Sequence, residues 1–318
     1  MAKEKILSFD NGITYTHSTD KFEGPENVYA NKINHPLTLN LNVTHECNLE
    51  CDYCIRQGGR LPSPSSEQLK TYLTNLPIGR PFRLTATGGE PFVRKDIYEV
   101  IDFIAQQPWA LGIISNGTVP IKFEKVPEQT RFEFSIDAID SQTYFLQRGG
   151  TEKQYQRIIE NIKEAKSKGY IVRTNVMLSR NNMDPVYIRR LVNGFADLNI
   201  DQVRLQKFVI PRGTIVDRDL LEKYQLKDEE YRAISAVARE VGKERGMGIL
   251  VPQQNKQLSL GSVRVYPDGS VAVQTEDKPE QETIGNIGNE SLEKCWSRQS
   301  DRLSEMHLRY LIKPKRVI

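Results

Sequence analysis

The chain has 318 residues, of which 38 % are hydrophobic and 27 % are charged, a balance that supports a sizeable core and excludes a wholly disordered chain. Its 44 basic and 41 acidic residues give a net charge of +3, too small a bias to indicate nucleic acid as the main partner. No apolar run approaches the roughly 20 residues that a membrane helix needs, and the first residues lack the apolar core of a signal peptide. We therefore expect no membrane partner and a cytoplasmic location.

Residues 1–36 predict an N-terminal hairpin followed by a linker. Within residues 5–17, apolar side chains stand on both sides of Asp10-Asn11-Gly12, which is a turn signal. Residues 18–36 are polar and contain Gly24-Pro25, which is typical of a linker.

Strand and helix patterns then alternate up to about residue 210. Strands are predicted at about 38–43, 82–86, 111–115, 132–136, 170–178 and 202–209. The helices between them carry apolar residues at helical spacing, with a possible capping box at Ser65 and Gln68, a C-cap at Gly169 and an N-cap at Asp184. This alternation predicts an α/β fold with a parallel sheet and right-handed crossovers, a partial (β/α)6 barrel of the TIM type over residues 37–212.

The pattern changes in residues 213–318, which we expect to form a C-terminal extension. A helix is predicted at about 227–245 and a short one near 290–305. Between them, residues 263–274 read as a hairpin around Pro267-Asp268-Gly269.

Three of the four cysteines, Cys47, Cys51 and Cys54, lie directly after the first barrel strand. A tight trio is unlike a disulfide framework, and it favours metal or redox chemistry. Three thiolates can hold three irons of a [4Fe–4S] cluster, which needs four ligands. Two alternatives are a structural zinc site, with His45 or Cys295 as fourth ligand, and three unrelated cysteines.

The residues around the trio narrow these alternatives. The segment from Asn42 to Cys54, with the aromatic Tyr53 before the last cysteine, closely resembles the signature of the radical S-adenosylmethionine (SAM) superfamily. Gly88-Gly89-Glu90-Pro91, behind the second strand, resembles the next motif of that family. The resemblance implies one [4Fe–4S] cluster on the trio, with its fourth iron open to the amino and carboxylate groups of SAM.

Further motifs imply the SAM contacts. Ser115-Asn116-Gly117 resembles the third-strand motif, Ser135-Ile136-Asp137 the fourth, and Arg148-Gly149 a pair near SAM. Strand-end turns, and an exposed arginine at the start of a helix, are the structural alternatives. Arg173 and Asn175 are expected to point inward. The SAM-binding residues implied by the resemblance are Tyr53, Gly88, Gly89, Glu90, Pro91, Ser115, Asn116, Ser135, Asp137 and Arg148.

Residues 263–297 resemble the tail of the SPASM subgroup, which normally carries cysteines for auxiliary clusters. Gln274 stands where such a cysteine is expected, and Cys295 alone cannot hold a second [4Fe–4S] cluster. We therefore expect a SPASM-like, substrate-shaping region without a cluster. Cys295 is either a hydrogen donor to a substrate radical or, as we favour, a small packed residue.

The function implied by the resemblance is reductive cleavage of SAM to a 5′-deoxyadenosyl radical, which abstracts hydrogen from a peptide or a small molecule. A lone cluster favours epimerisation, rearrangement or coupling, with a flavodoxin or a ferredoxin as electron donor. The alternative of a different class is a non-catalytic iron–sulfur or zinc scaffold or sensor.

Overall fold

The computed structural model describes residues 5–10, 12–25, 27–30, 32–54, 61–208, 218–251, 262–274 and 281–312. Asn11 of the predicted turn lies outside these ranges. The predicted N-terminal hairpin is present as β1 (Ile6–Ser8) and β2 (Thr14–Thr16), and a third antiparallel strand, β3 (Lys21–Glu23), pairs with β2. The linker prediction was wrong at β3, because Phe22 packs against the ring of Tyr15, 4.6 Å away between centroids.

The six predicted barrel strands are confirmed as parallel neighbours in one sheet. They are β4 (Thr38–Thr44), β5 (Phe82–Gly88), β6 (Trp109–Ser115), β7 (Arg131–Ser135), β8 (Ile171–Met177) and β9 (Gln202–Gln206). A seventh parallel strand, β10 (Gly248–Leu250), pairs with β9 and was not predicted, because three residues are too short for a periodic signal.

The C-terminal hairpin is also confirmed, and it extends the other edge of this sheet. Its strands are β11 (Val263–Val265) and β12 (Ser270–Gln274), followed by β13 (Gln281–Asn286). β11 runs parallel to β4, so the order in the described residues is β10-β9-β8-β7-β6-β5-β4-β11-β12-β13. The two outer strands of this order do not pair, so the sheet is a partial barrel.

Nine helices are present in the described ranges: α1 (Ser66–Thr74), α2 (Ile97–Ala105), α3 (Ser141–Arg148), α4 (Glu152–Ser167), α5 (Pro185–Asp197), α6 (Arg218–Tyr224), α7 (Asp228–Glu244), α8 (Leu292–Ser297) and α9 (Ser300–Leu311). The capping box of Ser65 and Gln68 and the N-cap of Asp184 are confirmed. Gly169, just after α4, has φ +82°, as a C-terminal glycine requires. The single helix predicted near 290–305 is two helices, and α3 and α6 were not predicted.

One hydrophobic core joins the N-terminal sheet, the barrel and the C-terminal elements. The boundaries 1–36, 37–212 and 213–318 stay predictions. In the described residues, no helix is long and apolar enough to span a bilayer.

Asp20 connects the N-terminal sheet to the inside of the barrel. Its carboxylate lies 2.9 Å from the guanidinium groups of Arg83, Arg131 and Arg173, on β5, β7 and β8. Strands β5 and β8 are separated by two others, so the sheet must curl to bring these side chains together. Because Arg83 and Arg131 lie at the starts of their strands, β1–β3 close the barrel at its N-terminal end.

Replacing Asp20 by Asn is expected to destabilise the fold by about 3–5 kcal/mol, because it leaves buried guanidinium groups without their counter-charge. Asn also tolerates the left-handed backbone of this residue, φ +55°. Urea unfolding measures the loss, with Asp10→Asn, at an exposed position in the turn between β1 and β2, as control. Equal unfolding free energies for the two variants would contradict the structural role of Asp20.

The unfolding free energies of wild type and Asp20→Asn are also expected to differ in their dependence on pH. Burial opposes ionisation of Asp20, but Arg131, Arg83 and Arg173 hold its pKa well below the ordinary value. A depressed folded-state pKa stabilises the fold above the unfolded pKa of about 4, and this stabilisation is lost as pH falls. The difference between wild type and Asp20→Asn should therefore be constant from pH 8 to about pH 5 and should shrink below about pH 4.

Candidate active site

The cysteine loop, residues 45–54, leaves the C-terminal end of β4, at the opposite end of the barrel from Asp20. Cys47 and Cys54 are half-buried and Cys51 is buried. The three thiols line a cavity of about 1040 Å³, a size typical of small-ligand sites. Burial raises the pKa of the Cys51 thiol to about 11, so its thiolate needs a nearby cation.

Gly88 and Gly89 hold the start of this loop. The Gly89 N–H donates to the Thr44 carbonyl and the Glu90 N–H to the Glu46 carbonyl, both at 2.8 Å. A Cβ on Gly88 would lie 2.1 Å from the Thr44 oxygen, and one on Gly89 1.9 Å from the Glu46 oxygen. The glycines thus permit close contact between two backbone segments of the protein. Their predicted role in SAM binding stays a prediction.

Glu90 points into the protein and joins the ends of two strands. Its carboxylate is fully buried and accepts hydrogen bonds from Phe92 N–H (3.1 Å), Ser115 Oγ (2.8 Å) and Asn116 N–H (2.5 Å). Burial raises the pKa of Glu90 to about 7, against the effect of these three donors. Pro91, next in the chain, is buried at the start of a short 3-10 helix.

Asn116, whose backbone is bound by Glu90, contacts the cysteine loop through its side chain. Its amide Nδ2 donates to Cys47 Sγ at 3.6 Å and to Asn48 Oδ1 at 3.0 Å. A hydrogen bond to a ligating sulfur is one way in which a protein tunes an iron–sulfur cluster. The motifs behind the second and third strands therefore support the cysteine loop.

Tyr53, Asp137 and Arg148, three of the residues predicted to bind SAM, contact one another. Asp137 accepts hydrogen bonds from the Tyr53 hydroxyl at 2.6 Å and from Arg148 Nη2 at 3.0 Å, and Arg148 Nε forms an ion pair with its carboxylate at 2.9 Å. The Arg148 guanidinium also lies over the Tyr53 ring, 5.6 Å from its centroid. Arg148 is buried at the end of α3, before Gly149 with φ +66°, so the alternative of an exposed helix-start residue is wrong.

Two further residues contact the cysteine loop and a third contacts the chain on either side of it, and none of the three was predicted. Tyr224 and Lys223, in α6, donate to the two carboxylate oxygens of Asp52 at 2.7 Å. Arg94 donates to the carbonyls of Val43 and Pro64, at 3.0 and 2.7 Å. Proximity to the Gly-Gly-Glu-Pro motif was a signal for Arg94, whereas Lys223 and Tyr224 stand in a short helix without any motif.

Ser135 and Cys295, two other predicted site residues, lie in different parts of the protein. Ser135 is half-buried at the end of β7, on the same face of the sheet as its neighbour Asn175. Cys295 is fully buried, next to Trp296 in α8, and its thiol donates to Glu290 at 3.5 Å. None of these contacts of Cys295 involves the cysteine loop, and they support the packing role.

The residues present fit a [4Fe–4S] cluster with SAM. Three thiols line one cavity, and Asn116 donates to one of them. Among the residues that the structure describes, no three His, Cys, Asp or Glu side chains converge on a point suited to a single metal ion. A cubane cluster does not need such convergence, because each thiolate binds a different iron.

A curled parallel sheet with a three-cysteine loop at its C-terminal mouth defines a cluster-bearing partial-barrel enzyme. Residues 41–191 match the family model described as "Radical SAM superfamily". Over these residues, a little under half of its length, the chain carries a radical SAM domain, and enzymes of this superfamily use a [4Fe–4S] cluster and SAM.

Sequence relatives and solved structures agree with this assignment. A probable GTP 3′,8-cyclase of Pyrococcus horikoshii is 26 % identical over 250 residues, covering 74 % of this chain and 78 % of the relative. GTP 3′,8-cyclase of Staphylococcus carnosus is 29 % identical over 195 residues, covering 57 % and 56 %.

Two solved structures share the fold at low identity. SuiB of Streptococcus suis bound to S-adenosylmethionine superposes with a TM-score of 0.66 at 15 % identity, covering 84 % of this chain and 67 % of SuiB. The enzyme anSMEcpe with bound AdoMet gives 0.65 at 15 % identity, covering 85 % and 82 %. At this identity the likeness shows the fold alone.

Glu90→Gln is expected to destabilise the protein by about 1–3 kcal/mol, because every partner of the carboxylate is a donor and the new amide would oppose one of them. Urea unfolding and the iron bound after reconstitution should both fall. Glu99→Gln, on the exposed face of α2, is the control. Unchanged iron binding and stability in Glu90→Gln would show that Glu90 does not support the loop.

Proposed function

We propose that this radical SAM enzyme acts on a small polar molecule held inside the barrel. When bound, the reduced cluster supplies the electron that splits SAM into methionine and a 5′-deoxyadenosyl radical, which abstracts hydrogen from the substrate. The observation that carries the proposal is the cysteine loop at the mouth of a concave face lined by polar side chains. Asn40, Thr85, Glu133, Asn175 and Arg204 all lie on this face.

The residues around the loop have defined tasks in this proposal. Cys47, Cys51 and Cys54 hold three irons, and Asn116 donates to the Cys47 sulfur. The buried Asp137–Arg148 pair orients Tyr53 beside the last cysteine. Ser135 is accessible at the strand ends and remains our candidate for direct contact with SAM.

A small-molecule substrate has more support than a peptide. The two sequence relatives described above are a probable GTP 3′,8-cyclase and a GTP 3′,8-cyclase, which are named for a nucleotide substrate. SuiB has been solved with its precursor peptide SuiA, but it is only 16 % identical to this chain in that structure. A peptide also has its own backbone donors and acceptors along its length, whereas the charged groups here are concentrated deep in the barrel.

Three finer features belong to the proposal. A flavodoxin or a ferredoxin in the cytoplasm supplies the electron. The C-terminal elements form a SPASM-like region without an auxiliary cluster, since one cysteine cannot hold a [4Fe–4S] cluster. A lone cluster favours an epimerisation, rearrangement or coupling as the reaction.

Anaerobic reconstitution with iron and sulfide, followed by SAM and dithionite, tests the proposal. Wild type should bind about four irons per chain and release 5′-deoxyadenosine. Alanine at Cys47, Cys51 or Cys54 should abolish both, whereas Cys295→Ala should keep both. One bound zinc without 5′-deoxyadenosine would instead support a scaffold, and loss of the cluster in Cys295→Ala would contradict the assigned ligands.

A further inference from the structure

A network of ion pairs on the concave face, largely buried except at Arg204, carries more positive than negative charge. Its members are Asp20, Glu133, Arg83, Arg131, Arg173 and Arg204. Glu133 lies 3.1, 3.5 and 3.7 Å from the guanidinium groups of Arg131, Arg173 and Arg204. Burial alone would raise its pKa, but Arg204, Arg131 and Arg173 lower it to about 2, so Glu133 is ionised at neutral pH. Four guanidinium groups against two carboxylates leave a net charge of +2.

The neighbouring His17 does not change this balance. Burial first, and then Arg131 and Arg83, lower the pKa of His17 to about 3, so its imidazole is neutral at pH 7. Buried charges in proteins are normally paired, because an uncompensated charge away from water is costly. Among the residues that the structure describes, no further carboxylate pairs with these arginines, and the excess of two positive charges therefore indicates a missing negative partner.

Arg173 shows where the missing partner belongs. It is 1 % exposed, and neither its Nε nor its Nη2 makes a hydrogen bond among the described residues. Asn175, two residues further along β8, has a buried Oδ1 that is likewise without a donor there. Burial lowers the pKa of Arg173, an effect that Glu133 and Asp20 oppose. These unused donors and the acceptor lie on one face of one strand.

Arg204 makes this part of the concave face accessible to a ligand. It is the lateral neighbour of Asn175 in the sheet, and its side chain is 31 % exposed. Its ion pair with Glu133, the one that it forms within the described ranges, is long at 3.7 Å. Arg204 lies two residues before the end of β9, or ~7 Å below the mouth of the barrel. Because β1–β3 close the opposite end, a ligand reaches it from the side of the cysteine loop.

We propose that Arg204 and Arg173 bind a doubly charged oxyanion of the substrate, a phosphate ester or a pair of carboxylates, while Asn175 accepts a hydrogen bond from the same molecule. This inference rests on the proposed function and names the substrate class for that site. The guanidinium forks suit oxyanions, with which they form bidentate hydrogen bonds. Water would satisfy the free N–H groups but would leave the excess charge uncompensated.

Calorimetric titration of the reconstituted holoenzyme with SAM bound tests the inference, with inorganic phosphate, pyrophosphate and succinate as probes. Saturable binding of at least one probe is expected in wild type. Arg204→Gln should weaken it at least tenfold, the loss typical of a charge-assisted hydrogen bond. Arg204→Lys should recover part of the affinity, because it restores the charge without the fork.

Arg189→Gln is the matched control, since Arg189 also forms an ion pair, with Glu240, but lies exposed on α5. It should bind the probes as wild type does. Tighter binding of phosphate or pyrophosphate assigns a phosphate ester, and tighter binding of succinate assigns carboxylates. Equal affinities in Arg204→Gln and Arg189→Gln, or no binding of any probe, would overturn the inference.

Formation of 5′-deoxyadenosine by wild type is measured separately from probe binding. Its absence refutes the proposed function whatever the anions do. Its presence together with a failed titration refutes only the oxyanion site.

Discussion

The ion pairs of Asp20 are the interaction on which the barrel depends. One carboxylate from the N-terminal sheet reaches arginines on β5, β7 and β8, which are not all neighbours. Removing these groups from water is costly, and the cost is offset only when the strands curl around the carboxylate. The same interaction closes one end of the barrel and leaves the other open, at the strand ends where parallel barrels place their chemistry.

At the open end, the family motifs act largely on one another. Gly88 and Gly89 contact the backbone of the cysteine loop, Glu90 fixes the backbone of Asn116, and Asp137 holds Tyr53. These contacts keep the thiols in place on a loop that has no regular secondary structure of its own. The residues at the strand ends therefore hold the cysteine loop in place, and the three cysteines line the cavity.

Local signals explain what the sequence could predict. Apolar alternation and helix caps such as Ser65 and Asp184 depend only on nearby residues. The six barrel strands and these helix caps could therefore be predicted from the sequence. The strands β3 and β10 have only three residues each, and α3 exposes Phe145, so their patterns are weak. The ion pairs of Asp20 and the contacts of Tyr224 join distant parts of the chain, where no spacing rule applies.

The contact of α6 with the cysteine loop has a consequence for assembly of the enzyme. Tyr224 and Asp52 are 172 positions apart in the chain, and their hydrogen bond joins α6 to the cysteine loop. Contacts of such separation form late in folding, because a long chain segment must first be closed into a loop. The cysteine loop therefore gains its contacts with α6 only after the first part of the C-terminal third of the chain has been synthesised and has packed against it.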